Sequence, residues 1–222
     1  MEELERRAQD DPADGDDAQP QGAPQGHLAV PGRAVGAVVI CAWGRARDAA
    51  LEEVARALFS AGLATLRLDE DAEAGEEAGP RVRRTGTGRR VDRVAAAVDR
   101  LANEPETRGV PVGILATGPG VAAALRAAAS RRRRVRAVVG VEGRPELAGS
   151  AVYALHAATL LVVPGLDTAM LRANHGVLRH LRPPAMLQIV PGALVAERVE
   201  LPADGAVPGS PSMEAAAEEV SR

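Results

Sequence analysis

The sequence predicts an α/β protein, built as a three-layer, doubly wound, mostly parallel sheet. Three observations predict it. Short apolar runs recur at 35–42 (VGAVVICA), 64–68 (ATLRL), 112–116 (VGILA), 135–141 (VRAVVGV), 159–163 (TLLVV) and 186–190 (MLQIV). They are nearly continuous in Val, Leu, Ile and Ala, as strands buried on both faces are. Helical patterns lie between them, and repeated strand–helix alternation specifies a parallel sheet whose right-handed crossovers put helices on both faces.

The elements follow in order. HLAV at 27–30 adds a candidate edge strand. The strand at 35–42 leads to a helix over 48–60, opened by the acidic N-cap Asp48 and stopped before Gly62. After the strand at 64–68, the run 90–102 repeats apolar residues at Val91, Val94, Ala95 and Val98, the spacing of one helix face. Two further helices are expected at 119–129 and 168–180. Outside this domain (27–201), the segment 1–26 is rich in Asp, Gln, Pro and Gly without apolar period and reads as a disordered acidic tail. Residues 202–222 read as a flexible tail with a possible short helix at 213–220. There is no internal repeat.

Composition narrows the function classes. At 222 residues the chain suits one domain with tails, large enough for a substantial core. Its net charge of -3 carries no global basic field, so no nucleic acid is expected. Phe59, Trp43 and Tyr153 are its only aromatics, too few to stack single-stranded bases. Every basic side chain besides the histidines is Arg, and the Ala/Gly/Pro richness fits a GC-rich bacterial coding sequence. Cys41 is the only cysteine, so no internal disulfide forms. No signal-like apolar run opens the chain and no stretch of about 18 apolar residues exists. The expectation is a cytoplasmic protein without a membrane partner.

Ligands of such sheets bind beyond the carboxyl ends of the strands. Those ends carry Trp43 and Gly44, Asp69, Thr117 to Gly120, Glu142 to Arg144, Gly165 to Asp167 and Pro191 to Ala193. The cleft candidates are Trp43, Gly44, Thr117, Gly118, Glu142 and Asp167.

The segments VVICAWG, ALFSAGLATLRLD, ETRGVPVGILATGPGVAAAL, RVRAVVGVEGRPELAG, TLLVVPGLD and IVPGA occur in that order from 26 to 193. This run resembles the dienelactone hydrolase-like branch of the α/β-hydrolases, compact and lidless, sometimes fused to phosphoribosyltransferases. The resemblance implies ester, lactone or thioester hydrolysis by a Ser or Cys nucleophile, an acid and a His.

Each catalytic part departs from that pattern. The nucleophile elbow G-x-S-x-G falls on Ala116, Thr117, Gly118, Pro119 and Gly120, so the attacking side chain is replaced by hydrogen at Gly118. One oxyanion donor in this fold is the N–H after the nucleophile, and Pro119 has none. The family's His follows a Pro-Gly after the last strand, where this chain has Val195 or a neighbour, and no His lies beyond His180. The acid survives as Asp167, which equally reads as the N-cap of the helix beginning at Thr168. Thr117 stands beside the apex but projects elsewhere. Cys41 reads as a small buried hydrophobe, Ser130 and Ser150 lie in no elbow, and His175 and His180 read as structural. Trp43, Gly44 and Arg45 stand where the family has its His-Gly oxyanion loop. Trp43 reads as core or as a cover over a ligand.

A second pattern overlaps the first. Gly118, Gly120 and Ala123 follow a strand and open a helix as a dinucleotide fingerprint does, with Glu142 about twenty residues on where a ribose-binding acid would stand. Small residues there equally serve close helix–sheet packing. The Arg131–Arg134 run with Arg136 reads as a solvated turn or as a phosphate or acidic-partner patch, with RVRRTGTGRRVDR at 81–93 as a possible second stripe. No Cys/His cluster has metal spacing, so neither metal nor cofactor is expected.

The leading expectation is an α/β-hydrolase-like protein without hydrolytic activity that binds a small molecule or a protein partner, with homodimerisation open. An active hydrolase with a rearranged site is the alternative. An anion or nucleotide binder at Gly118 to Gly120 is the third.

Overall fold

The computed structural model describes residues 26–43, 48–68, 86–182 and 184–192. Seven strands form one sheet: β1 (Gly26–Ala29), β2 (Gly36–Ala42), β3 (Leu63–Leu68), β4 (Val112–Thr117), β5 (Val135–Val141), β6 (Ala158–Pro164) and β7 (Ala185–Val190), in the order β1-β3-β2-β4-β5-β6-β7. Only β1 is antiparallel, against β3; every other pair is parallel. The mostly parallel, doubly wound sheet expected from the alternating runs is the observed one. Strand order reverses beside β2, because the chain steps outward to β3 and then across β2 to β4.

Among the described residues four α-helices connect the strands: α1 (Asp48–Ser60), α2 (Gly86–Asn103), α3 (Gly120–Ser130) and α4 (Thr168–Leu178). The steps from β2 to β3 and from β3 to β4 run in opposite directions, so right-handed crossovers place α1 and α2 on opposite faces. On the α2 face a continuous layer forms, α2 packing on α3, α3 on the segment Pro145–Ala154, and that segment on α4. The α2 helix begins earlier than its apolar pattern predicted, at Gly86, and α4 stops at Leu178, short of His180. Between β5 and β6 the periodicity predicted nothing regular. The chain there runs as a 3-10 segment, Pro145–Ala154, kinked where Gly149 takes φ +61°.

The core is made of small aliphatic groups. Val39, Ala64, Leu66, Val94, Ala97, Val98, Leu101, Ile114 and Ala116 are all buried between the sheet and the α2 face. The α3 helix carries this economy furthest: Gly120, Val121, Ala122, Ala123, Ala124, Leu125, Ala127 and Ala128 are buried. Side chains that small let α3 lie close to the sheet with α2 on one flank and the 3-10 segment on the other. Its N-terminus, and the turn before it, are thereby fixed at the carboxyl ends of β4 and β5. The expected tails, Gly44, Asp69 and Val195 lie outside the described residues, apart from Gly26, which opens β1.

Candidate functional site

The site is built around the turn from β4 to α3. Gly118 has φ +51°, a left-handed value that costs an L-residue roughly 1–2 kcal/mol. Its N–H donates to the Val141 carbonyl (2.9 Å), pinning the turn to the end of β5, and its own carbonyl accepts from Val121 N–H (3.2 Å). Pro119 follows with helical angles (φ -62°, ψ -18°), and no side chain caps α3. The strand-to-helix elbow is therefore formed, with hydrogen at its apex and a proline where the following N–H would be.

Trp43, immediately after β2, fills the space beside this elbow. Its carbonyl oxygen stands 3.0 Å from where a Cβ on Gly118 would be, and its ring carbon Cε3 stands 2.8 Å from where a Cβ on Gly120 would be. Trp43 is 1% exposed, which places it in the core rather than as a cover over the cleft. Two guanidiniums lie over its ring, Arg90 at 5.7 Å and Arg93 at 5.9 Å from the centroid. They are three residues apart on α2 and so share one helix face. Each such cation–π contact is worth about 0.5–2 kcal/mol, more as it is desolvated. Among the described residues the indole Nε1 and the Thr117 hydroxyl, both buried, have no hydrogen-bond partner.

Cys41, two residues before Trp43, is fully buried, with its thiol donating weakly to the Leu115 carbonyl (3.5 Å). Burial pushes this thiol up to about 12, against a smaller downward pull from Arg93. It remains protonated at neutral pH and is no nucleophile there.

The neighbouring strand end is strained as well. Glu142 follows β5 with φ +51°, the one non-glycine residue at positive φ among the described residues, and its N–H donates to the Val162 carbonyl (2.9 Å). Asn174, 1% exposed on α4, holds this loop: its Nδ2 donates to the carbonyls of Gly143 (3.0 Å) and Met170 (2.9 Å). Asn174 was missed from sequence, although it interrupts the apolar stripe of Leu171, Val177 and Leu178, the signal of a buried polar side chain. Asp167 accepts from Met170 N–H at 2.8 Å and caps α4, as the cap reading expected.

Thr117, Gly118 and Glu142 thus converge at the ends of β4 and β5, with Trp43 packed beside Gly118 and Gly120, while Asp167 lies beyond β6 in a structural hydrogen bond. Among the described residues the arginine stretches do not meet. Arg90 and Arg93 lie at the carboxyl end of the sheet against Trp43. Arg131 to Arg134 follow α3 at the amino end of β5, Arg131 pairing with Asp99 (2.7 Å) and Arg132, Arg133 and Arg134 exposed. Residues 81–85 lie outside the described residues. Among the described residues no group of three His, Cys, Asp or Glu side chains could hold a metal ion, and no helix is long and apolar enough to cross a membrane.

An elbow between a parallel strand and a buried helix, on a sheet of this order, defines an α/β-hydrolase fold. The chain belongs to the dienelactone hydrolase-like branch of that family: it is 35% identical to a dienelactone hydrolase from Anabaena variabilis, with a TM-score of 0.68 over 76% of this chain and 80% of that one. Est1E from Butyrivibrio proteoclasticus shares the fold at 17% identity, with a TM-score of 0.61 over 76% of this chain and 85% of its own. No protein-family model matches. Two Mycobacterium tuberculosis proteins, from strains CDC 1551 and H37Rv and each named "Putative phosphoribosyl transferase", are 37% identical over 170 residues. That match covers 76% of this chain but 38% of theirs, so the chain spans well under half the length of these curated relatives.

Proposed function

We propose that this chain is a non-hydrolytic α/β-hydrolase-fold module that binds a small molecule or a protein partner at the carboxyl end of its sheet. The observation that carries this reading is Gly118. The backbone there keeps the positive φ of a strand-to-helix elbow, yet offers hydrogen where acyl transfer needs an attacking oxygen or sulfur. Pro119 independently removes a backbone donor from the position where an oxyanion would be held; losing one such donor typically costs ~10²–10³ in rate. Asp167 is engaged as a helix cap, and Cys41 is buried and protonated.

The test is direct. Purified protein should turn over short p-nitrophenyl esters no faster than buffer, and a fluorophosphonate probe should add no mass. A stoichiometric adduct would overturn the reading in favour of a rearranged hydrolase. The M. tuberculosis relatives favour the protein-partner form of the proposal. They carry the matched stretch within a longer chain named as a phosphoribosyl transferase, which makes a protein of that class the partner to try first.

A further inference from the structure

At the amino end of the sheet three loops lead into β5, β6 and β7: 131–134, 155–157 and 179–184. The Arg134 carbonyl accepts from Val112 N–H (3.3 Å), and the Pro184 carbonyl accepts from Thr159 N–H (3.0 Å). The first loop therefore sits beside the start of β4 and the last beside the start of β6. The Tyr153 and His180 rings meet edge to face at 5.3 Å, joining the segment before β6 to the loop after α4. Neighbouring strands lie about 4.8 Å apart, so the three loops form one surface, roughly 10 Å across from β5 to β7.

That surface is basic. Arg132, Arg133, Arg134, Arg136, Arg179 and Arg182 are all exposed, and none forms an ion pair among the described residues. Residues 131–136, 155–157 and 179–184 contain no Asp or Glu. Helix ends explain part of this, since cations are favourable within the last turn of a helix. That accounts for Arg131 after α3, which is also paired with Asp99, and for Arg179 after α4. Arg136 lies within β5 and Arg182 stands just before β7, beyond either helix end. Apart from residue 183, the surface is built from described residues. The segments 1–25, 44–47, 69–85 and 193–222 all join the described chain at the carboxyl end of the sheet, the first because β1 runs antiparallel to β3.

We propose that the amino end of β5, β6 and β7 is a docking surface for an Asp/Glu-rich segment of a partner protein. It lies at the opposite end of the sheet from the site around Gly118 and does not depend on that site. Guanidiniums pair bidentately with carboxylates and phosphates alike. Extent decides between them. Six arginines over roughly 10 Å match a short segment carrying a few carboxylates. A nucleic-acid backbone would run on beyond them along a chain of net charge -3, where repulsion replaces attraction. Tyr153, the exposed aromatic beside this surface, is already packed against His180 rather than free to stack a base. Exposed ion pairs are individually weak and are screened by salt, so affinity comes from their number.

The experiment uses the full chain and a fluorescein-labelled decaglutamate. Anisotropy should rise saturably at low ionic strength, and the affinity should fall as salt is added. Arg133→Glu and Arg182→Glu should each weaken binding roughly fivefold while circular dichroism stays native. Arg56→Glu makes the same charge change at an exposed position on α1 and should leave binding as it was. Absence of saturable binding at low salt overturns the proposal. So does an equal loss in Arg56→Glu, which would make the attraction one of overall charge. A single-stranded oligonucleotide of the same charge that binds more tightly than the decaglutamate also overturns it, in favour of a nucleic-acid surface.

Discussion

Cys41 and Gly118 show how one residue decides what a site can do. At Gly118 the strand-to-helix turn takes φ +51°, and glycine relieves the strain that a side chain there would store. Cys41, on the neighbouring strand β2, carries a thiol that burial holds protonated up to about 12. An unfolded thiol titrates near 8.5, roughly. Between those values the native state keeps a proton that the unfolded state has released, so stability falls as pH rises through that window and is fully present below it. Denaturant titrations should therefore give a plateau below pH ~8.5 and a decline above it that is flatter in Cys41→Ala. Ellman's reagent should react with the thiol only after unfolding. Immediate reaction with native protein at pH 8 would contradict the buried, protonated thiol.

At the scale of elements, the local signals were strong where apolar period and end chemistry agreed. The seven expected strands all formed, and α1 occupies the expected 48–60. The Asp before Thr168 was legible as a cap because capping is a contact over three residues. Replacing it isolates that contact. Asp167→Ala should lower stability by about 1 kcal/mol, and Asp167→Ser should recover most of it. Unchanged melting in Asp167→Ala would remove the cap from the account of α4. The 3-10 segment was not legible: PELAGSAVYA has no sustained period, and Gly149 kinks it where no neighbour in sequence predicts a kink. The candidate site divided the same way. Gly118 and Pro119 could be read from one turn motif. The surroundings of Trp43 could not, because Arg90 and Arg93 arrive from α2, nearly fifty residues on, and only the crossover brings them to the end of β2. Asn174 likewise acts on Gly143, 31 residues away.

Across the whole molecule, Trp43 stands where three structural decisions meet: the end of β2, the arginine face of α2 and the close approach of α3. It is the only tryptophan, so its emission reports one place. That place is 1% exposed and packed against Gly120 of α3, a helix buried along most of its length. Local opening of the elbow would require α3 to leave the sheet, and α3 is shared by the α2 and 3-10 sides of the core. The site and the core should therefore unfold together. The indole emission should shift to longer wavelength at the same denaturant midpoint at which far-ultraviolet circular dichroism is lost, within error, as two-state unfolding requires. A ligand held at the carboxyl ends of β4 and β5 would raise both midpoints equally. An indole transition at clearly lower denaturant would instead identify the elbow as a separately opening unit. The packing of Trp43 between Gly118, Gly120 and the two arginines would then be a local closure, weaker than the sheet that supports it.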